Sequence, residues 1–112
     1  MISVNLLLLL IVIHYVADFW LQTEWMATNK STNTDALILH CMIYSIPFLW
    51  FGIEFAVLTG LMHYITDFTT SRVASYYHKQ GKTRKFFQVI GIDQTIHMFC
   101  LVLLAVFLNI SI

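Results

Sequence analysis

Four apolar stretches dominate the chain, each about as long as the roughly 20 residues a helix needs to cross a bilayer. They run from about Ile2 to Gln22, Asp35 to Phe51, Ile53 to His78 and Phe86 to Ile110. The first gap, Thr23 to Thr34, is rich in Thr, Asn and Ser and reads as a polar loop, with Asp35 suited to cap the next helix. Pro47 predicts a kink or an early end to the second helix. Gly52 marks a tight turn, and Lys79–Lys85 (KQGKTRK) is a basic loop bending at Gly81. No two-residue alternation and no internal repeat is present. The pattern predicts an all-α four-helix transmembrane bundle, a single integral membrane domain over residues 1–112.

Composition sharpens this expectation. Of 112 residues, 59% are hydrophobic and 11% charged, against roughly 25% charged in an ordinary soluble domain. So few charges cannot cover a small globule. Six basic residues balance six acidic ones, which argues against a nucleic-acid partner. Cys41 and Cys100 lie inside apolar runs and read as inert buried thiols, not as a disulfide framework. The N-terminal run lacks a cationic leader and reads as a retained helix, not a cleaved signal.

The basic residues set an orientation. Lys30 lies in the first gap, and Arg72, Lys79, Lys82, Arg84 and Lys85 cluster around the third. A hairpin topology puts these on one side, and the positive-inside rule makes that side cytoplasmic, with both termini outside. Trp20, Trp25, Tyr76, Tyr77, Phe86 and Phe87 form an aromatic belt there; Trp50 and Phe51 mark the other face.

Ionisable residues inside a membrane are costly and are functional by default. Here they are patterned: His14-x-x-x-Asp18, His40 with Tyr44 four residues on, His63-x-x-x-Asp67, and Asp93-x-x-x-His97. Residues four apart share a helix face. Helix direction alternates, and the order His–Asp reverses in the fourth segment. Every Asp therefore lies nearer the cytoplasm than its His, and four helices converge on one layer.

A lone His–Asp pair is more often a structural hydrogen bond. Three pairs plus His40 at one depth favour a site. Three buried carboxylates need cations, and bundles build metal centres from such ligand pairs on facing helices. His14, Asp18, His40, His63, Asp67, Asp93 and His97 are the expected ligands of one or two divalent ions, Zn, Mn, Fe or Ni. The alternative is a metal-free proton relay or structural network. Among Asp18, Asp67 and Asp93, one is expected to be free as a general base, and Arg72, after Thr69-Thr70-Ser71, to hold a phosphate or else to snorkel toward lipid phosphates. Gln22 and Gln94 are candidate outer hydrogen-bond partners or packing contacts. His78 reads as interfacial, Glu24 and Glu54 as solvated, and Tyr44 as core with a polar tip.

His14-Tyr-Val-Ala-Asp18-Phe-Trp-Leu-Gln22, His63-Tyr-Ile-Thr-Asp67-Phe-Thr-Thr-Ser71-Arg72 and Phe86-Phe87-Gln-Val-Ile-Gly91-Ile-Asp93-Gln94-Thr-Ile-His97 resemble a family of small bacterial and phage membrane proteins known only as a domain of unknown function. The resemblance covers nearly the whole chain and implies a multi-pass protein of the bacterial inner membrane. A looser similarity, in style of motif, is to membrane-bound metal-dependent hydrolases. The functional expectation is a metal-dependent hydrolase of a phosphorylated lipid or amphiphile, with membrane lipids as partners. The rivals are a proton- or metal-ion transporter or channel, acting as an oligomer, and a non-catalytic phage or host membrane accessory protein. Ala56, Gly60 and Ala74 offer close-packing positions for a homo-oligomer.

Overall fold

A computed structural model describes residues 2–112, and they fold as five α-helices without strands among the described residues. These are α1 (Val4–Tyr15), α2 (Glu24–Asn29), α3 (Thr34–Ser45), α4 (Ile53–Lys79) and α5 (Thr83–Phe107). Two irregular helical segments extend them: Val16–Trp20 continues α1, and Ile46–Phe51 continues α3.

Local chemistry explains the boundaries. Ser3 Oγ caps α1 by accepting from Leu6 N at 3.1 Å. Leu6, Leu10 and His14, spaced by four, form its buried stripe. The expected polar loop contains α2, because Thr23 caps it through Met26 N at 3.2 Å and Met26 anchors it in the core. Asp35 is not the cap of α3. Asn33 Oδ1 takes that role, accepting from Asp35 N at 2.9 Å, and Asp35 sits in the first turn. Pro47 has no N–H to continue the α-helical ladder, so the chain tightens into a 3₁₀ segment. Gly52, at φ 111°, then turns it into α4. Gly81, at φ 71°, makes the α4–α5 bend. Both are backbone conformations open to glycine.

The two halves of the molecule bury different side chains. The buried apolar cluster of Leu6, Leu10, Tyr44, Phe48, Phe55 and Leu101 fills one half of the bundle. Ile2, Leu108 and Ile110 pack against it, so both ends of the described chain lie at that end. The other half buries His and Asp, while large apolar side chains face outward: Trp50 is 82% exposed, Phe107 81% and Trp20 72%. Thr34–Phe51 and Thr83–Phe107 are long and apolar enough to cross a membrane. Val4–Trp20 is apolar but shorter, and the second half of α4 is polar. Two of the four expected spans therefore meet that criterion. Ala56 and Ala74 are buried within the chain and Gly60 faces Ser45 Oγ, so all three small residues serve contacts inside one copy.

Candidate metal centre

The seven expected ligands come from four segments and are all buried. Asp18 lies in the widened turn after α1, where Leu21 N bonds Val16 O at 3.0 Å, an i→i+5 bond. Such π turns frequently occur at functional sites. From α3 come His40 and Tyr44; from α4, His63 and Asp67; from α5, Asp93, Gln94 and His97.

Four donor atoms converge most tightly: Asp18 Oδ1, His40 Nε2, His63 Nε2 and Asp67 Oδ2. His40 Nε2 is 3.1 Å from His63 Nε2, 3.1 Å from Asp18 Oδ1 and 3.3 Å from Asp67 Oδ2. His63 Nε2 is 3.3 Å from Asp18 Oδ1 and 3.2 Å from Asp67 Oδ2. A tetrahedral ion with bonds of about 2.0 Å sets its ligands about 3.3 Å apart. Five of the six donor–donor separations therefore match, and the sixth lies within 4.8 Å. Hydrogen bonding accounts for only part of this packing. One N–H points at one acceptor, and Asp18 Oδ1 is left without a hydrogen bond. Buried carboxylate oxygens rarely remain so. The donor set fits a divalent cation.

Asp93 and His97 form a second layer beside it. His97 Nε2 lies 3.0 Å from both Asp67 Oδ1 and Asp93 Oδ1. Thr70 Oγ1 also donates to Asp93 Oδ1. Asp18, Asp93 and His97 would form an alternative three-donor set, but it shares Asp18 with the first. At 9%, the Asp93 side chain is the most exposed of the three clustered acids, Asp18, Asp67 and Asp93.

His14 departs from expectation: it belongs to neither donor set. Its Nδ1 is 2.8 Å from Tyr44 Oη and its Nε2 2.7 Å from Gln94 Oε1. Because Gln94 Oε1 can only accept, His14 Nε2–H donates; a neutral ring then accepts from Tyr44 O–H at Nδ1. Gln94 Nε2 in turn donates to Asp18 Oδ2 at 2.8 Å and Asp93 Oδ2 at 3.0 Å. One directed chain thus runs from Tyr44 through His14 and Gln94 to two carboxylates. Such partners fix the orientation of ligating side chains. The Tyr44 ring also stacks on His63, with centroids 3.8 Å apart.

Two further differences concern cations. Lys30, read from sequence only as a charge that orients the chain, turns inward and places Nζ 3.3 Å from Asp67 Oδ2. Its long stem permits this reach, and its one sequence signal is that it is the lone cation of its loop, facing three acids. Arg72 does the reverse. Its guanidinium donates to Phe68 O at 2.8 Å and lies 3.8 Å over the Phe68 ring, on its own helix and away from the cluster. Of the expected outer partners, Gln94 joins the network, whereas Gln22 Oε1 is buried without a partner. Cys41 and Cys100 are free thiols.

A cleft of about 490 Å³ opens at the Lys30 end of the bundle, with Asp18 and Asp93 in its lining. Lys30, His78 and Lys79 are on its walls. The cluster therefore has an opening, and its two acids nearest that opening include the one outside the four-donor set.

Residues 6–112 match the model of a family described as "Protein of unknown function (DUF3307)". Among curated proteins and solved structures, nothing matches the chain.

Proposed function

We propose, from the premise that this chain belongs to the DUF3307 family of proteins of unknown function, that it is a membrane-embedded hydrolase with one divalent metal ion. The observation that carries the reading is the convergence of Asp18, His40, His63 and Asp67 donor atoms within 4.8 Å of one another. Charge supports one ion. Three carboxylates against the Lys30 ammonium leave two formal negative charges, the complement of a single divalent cation. The exposed apolar surface and the two long apolar helices support a bilayer setting. The Lys79–Lys85 loop then lies in the cytoplasm, in a bacterial inner membrane.

Asp18, His40, His63 and Asp67 would hold a divalent ion, which would supply Lewis acidity to a phosphoryl or carbonyl oxygen if it accepts one ligand beyond these four. The chain's own groups do the rest. Asp93 stands outside the four-donor set, faces the cleft, and receives the proton of the attacking water. Thr70 and His97 hold its carboxylate in place. Gln94 ties Asp93 to Asp18, so base and ligand keep a fixed separation. Lys30 offsets charge on Asp67 and stands on the cleft wall, the position that the sequence reading gave to Arg72. Ion conduction is the weaker reading. Leu10, Phe48, Phe55 and Leu101 fill the bundle beyond the cluster with apolar side chains.

The test is elemental analysis of protein purified in neutral detergent without chelators. About one equivalent of Zn, Mn, Fe or Ni is expected. His63→Ala loses it. Asp93→Asn keeps it and stops phosphate release from dioctanoyl phosphatidate. A wild-type protein without stoichiometric metal overturns the reading.

A further inference from the structure

Two cavities of different character meet at one residue. The cleft described above is mixed, with Lys30, Lys79, His78, Ser71 and Ser75 beside Phe19, Phe86 and Ile90. Two buried polar atoms on its walls, Gln22 Oε1 and Ser71 Oγ, have no hydrogen-bond partner. A second groove of about 610 Å³ runs between α1 and α5. Leu7, Ile11, Met98, Phe99, Val102 and Leu103 line it, and their positions carry it from Gln94 toward the end that holds Ile2 and Ile110. Gln94 borders both spaces and is itself bonded to Asp18 and Asp93.

The geometry points to a binding site for an anionic single molecule with a hydrocarbon tail. We infer that the α1–α5 groove takes the acyl chain of a phosphate-bearing lipid, and that its headgroup lies in the Lys30–Lys79 cleft, with Gln94 at the junction. The argument rests on continuity and charge. An apolar groove that meets a cleft carrying Lys30, Lys79 and hydroxyls, with Asp18 and Asp93 at the metal-centre side, is complementary to an amphiphile more than to either half of one alone. Lys79 supplies a point charge for a phosphate, beside Lys30, whose Nζ is already 3.3 Å from Asp67 Oδ2. The serines and Gln22 supply hydrogen-bonding groups that the protein leaves unused. The tail direction agrees with the proposed orientation. A lipid of the cytoplasmic leaflet has its head at the Lys79 end and its chain toward the bilayer centre. The junction between head and tail falls beside Asp93, where hydrolysis would be directed. The inference rests on the hydrolase reading only for that last point; binding itself does not require it.

Native mass spectrometry of the detergent-purified protein tests this with three probes: oleoyl lysophosphatidate, monoolein and inorganic phosphate. Oleoyl lysophosphatidate is expected to bind at least tenfold more tightly than either of the others. Lys79→Gln weakens it about fivefold, as loss of roughly 1 kcal/mol of a partly exposed charge contact predicts, and Lys79→Arg restores it. Val102→Trp, which fills the apolar groove, weakens lysophosphatidate and monoolein together. Metal content measured on the same samples shows that each variant keeps its folded centre. Equal binding of free phosphate and lysophosphatidate assigns the cleft to a soluble phosphate and overturns the inference. So does lysophosphatidate binding that neither Lys79→Gln nor Val102→Trp changes. A protein that binds the lipid but carries no metal defeats the hydrolase reading and leaves this one standing.

Discussion

The end of the molecule that holds Ile2 and Ile110 and the end that holds Lys30 are packed by different means. In the first, Leu6, Leu10, Phe48, Phe55 and Leu101 interlock through apolar contact, with Phe48 and Phe55 rings 5.9 Å apart. In the second, imidazoles and carboxylates are held by directed polar contacts at about the length of a hydrogen bond. Apolar packing tolerates substitution of similar volume. A polar cluster does not, because removing one member strands its neighbours. Stability should therefore reside mainly in the first half and chemistry in the second, and Tyr44 joins them: its ring lies among the apolar residues and its hydroxyl bonds His14.

The comparison is open to breakage from either side. The largest effect is expected from Asp67→Asn, since Asp67 contacts Lys30, His40, His63 and His97. Metal affinity should fall at least 100-fold, beyond the 10–100-fold typical of outer-shell changes, while the far-ultraviolet circular dichroism stays helical. Metal titration with a chromophoric chelator reads the loss. Phe48→Ala attacks the other half. It should cost about 3–5 kcal/mol of stability in denaturant titration, yet the folded fraction should keep its metal. Coupled loss of both properties would show that the halves are one unit.

Tyr44→Phe sharpens the boundary itself. The ring remains, but His14 Nδ1 loses its donor, at a cost of about 1–3 kcal/mol. The smallest effect is expected at the helix crossing. A Cβ at position 60 would meet Ser45 Oγ, which is bonded to Cys41 O at 2.8 Å. Gly60→Ala should cost about 1 kcal/mol, and the Gly60→Ala, Ser45→Ala pair should recover it, in a double-mutant cycle on thermal stability.

Much of this architecture is legible in one dimension. Apolar runs give the helices, Gly52 and Gly81 give the turns, and distance along each helix gives the common depth of the His and Asp residues. Azimuth and side-chain reach are not legible in that way. His14 and Asp18 look equivalent to His63 and Asp67 by spacing, but the π turn lies between them and the His14 ring is taken up by Tyr44 and Gln94. Lys30 and Arg72 exchange their expected places because flexible stems decide where a cation ends. The helix α2 was hidden by its polar composition, although Thr23 followed by Glu24 is a recognisable start.

The order of synthesis adds a last consequence to the Gln94 bridge. Gln94 meets Asp18 and His14 across 76 and 80 positions of chain. α1 and its extension therefore leave the ribosome carrying an imidazole and an acid whose shared amide partner is made 76 to 80 residues later. Until α5 arrives, α3 and α4 can supply Tyr44, His40 and His63, but His14 Nε2 and Asp18 Oδ2 lack the Gln94 contacts. Completion of the polar contacts at the end of α1 thus waits for α5.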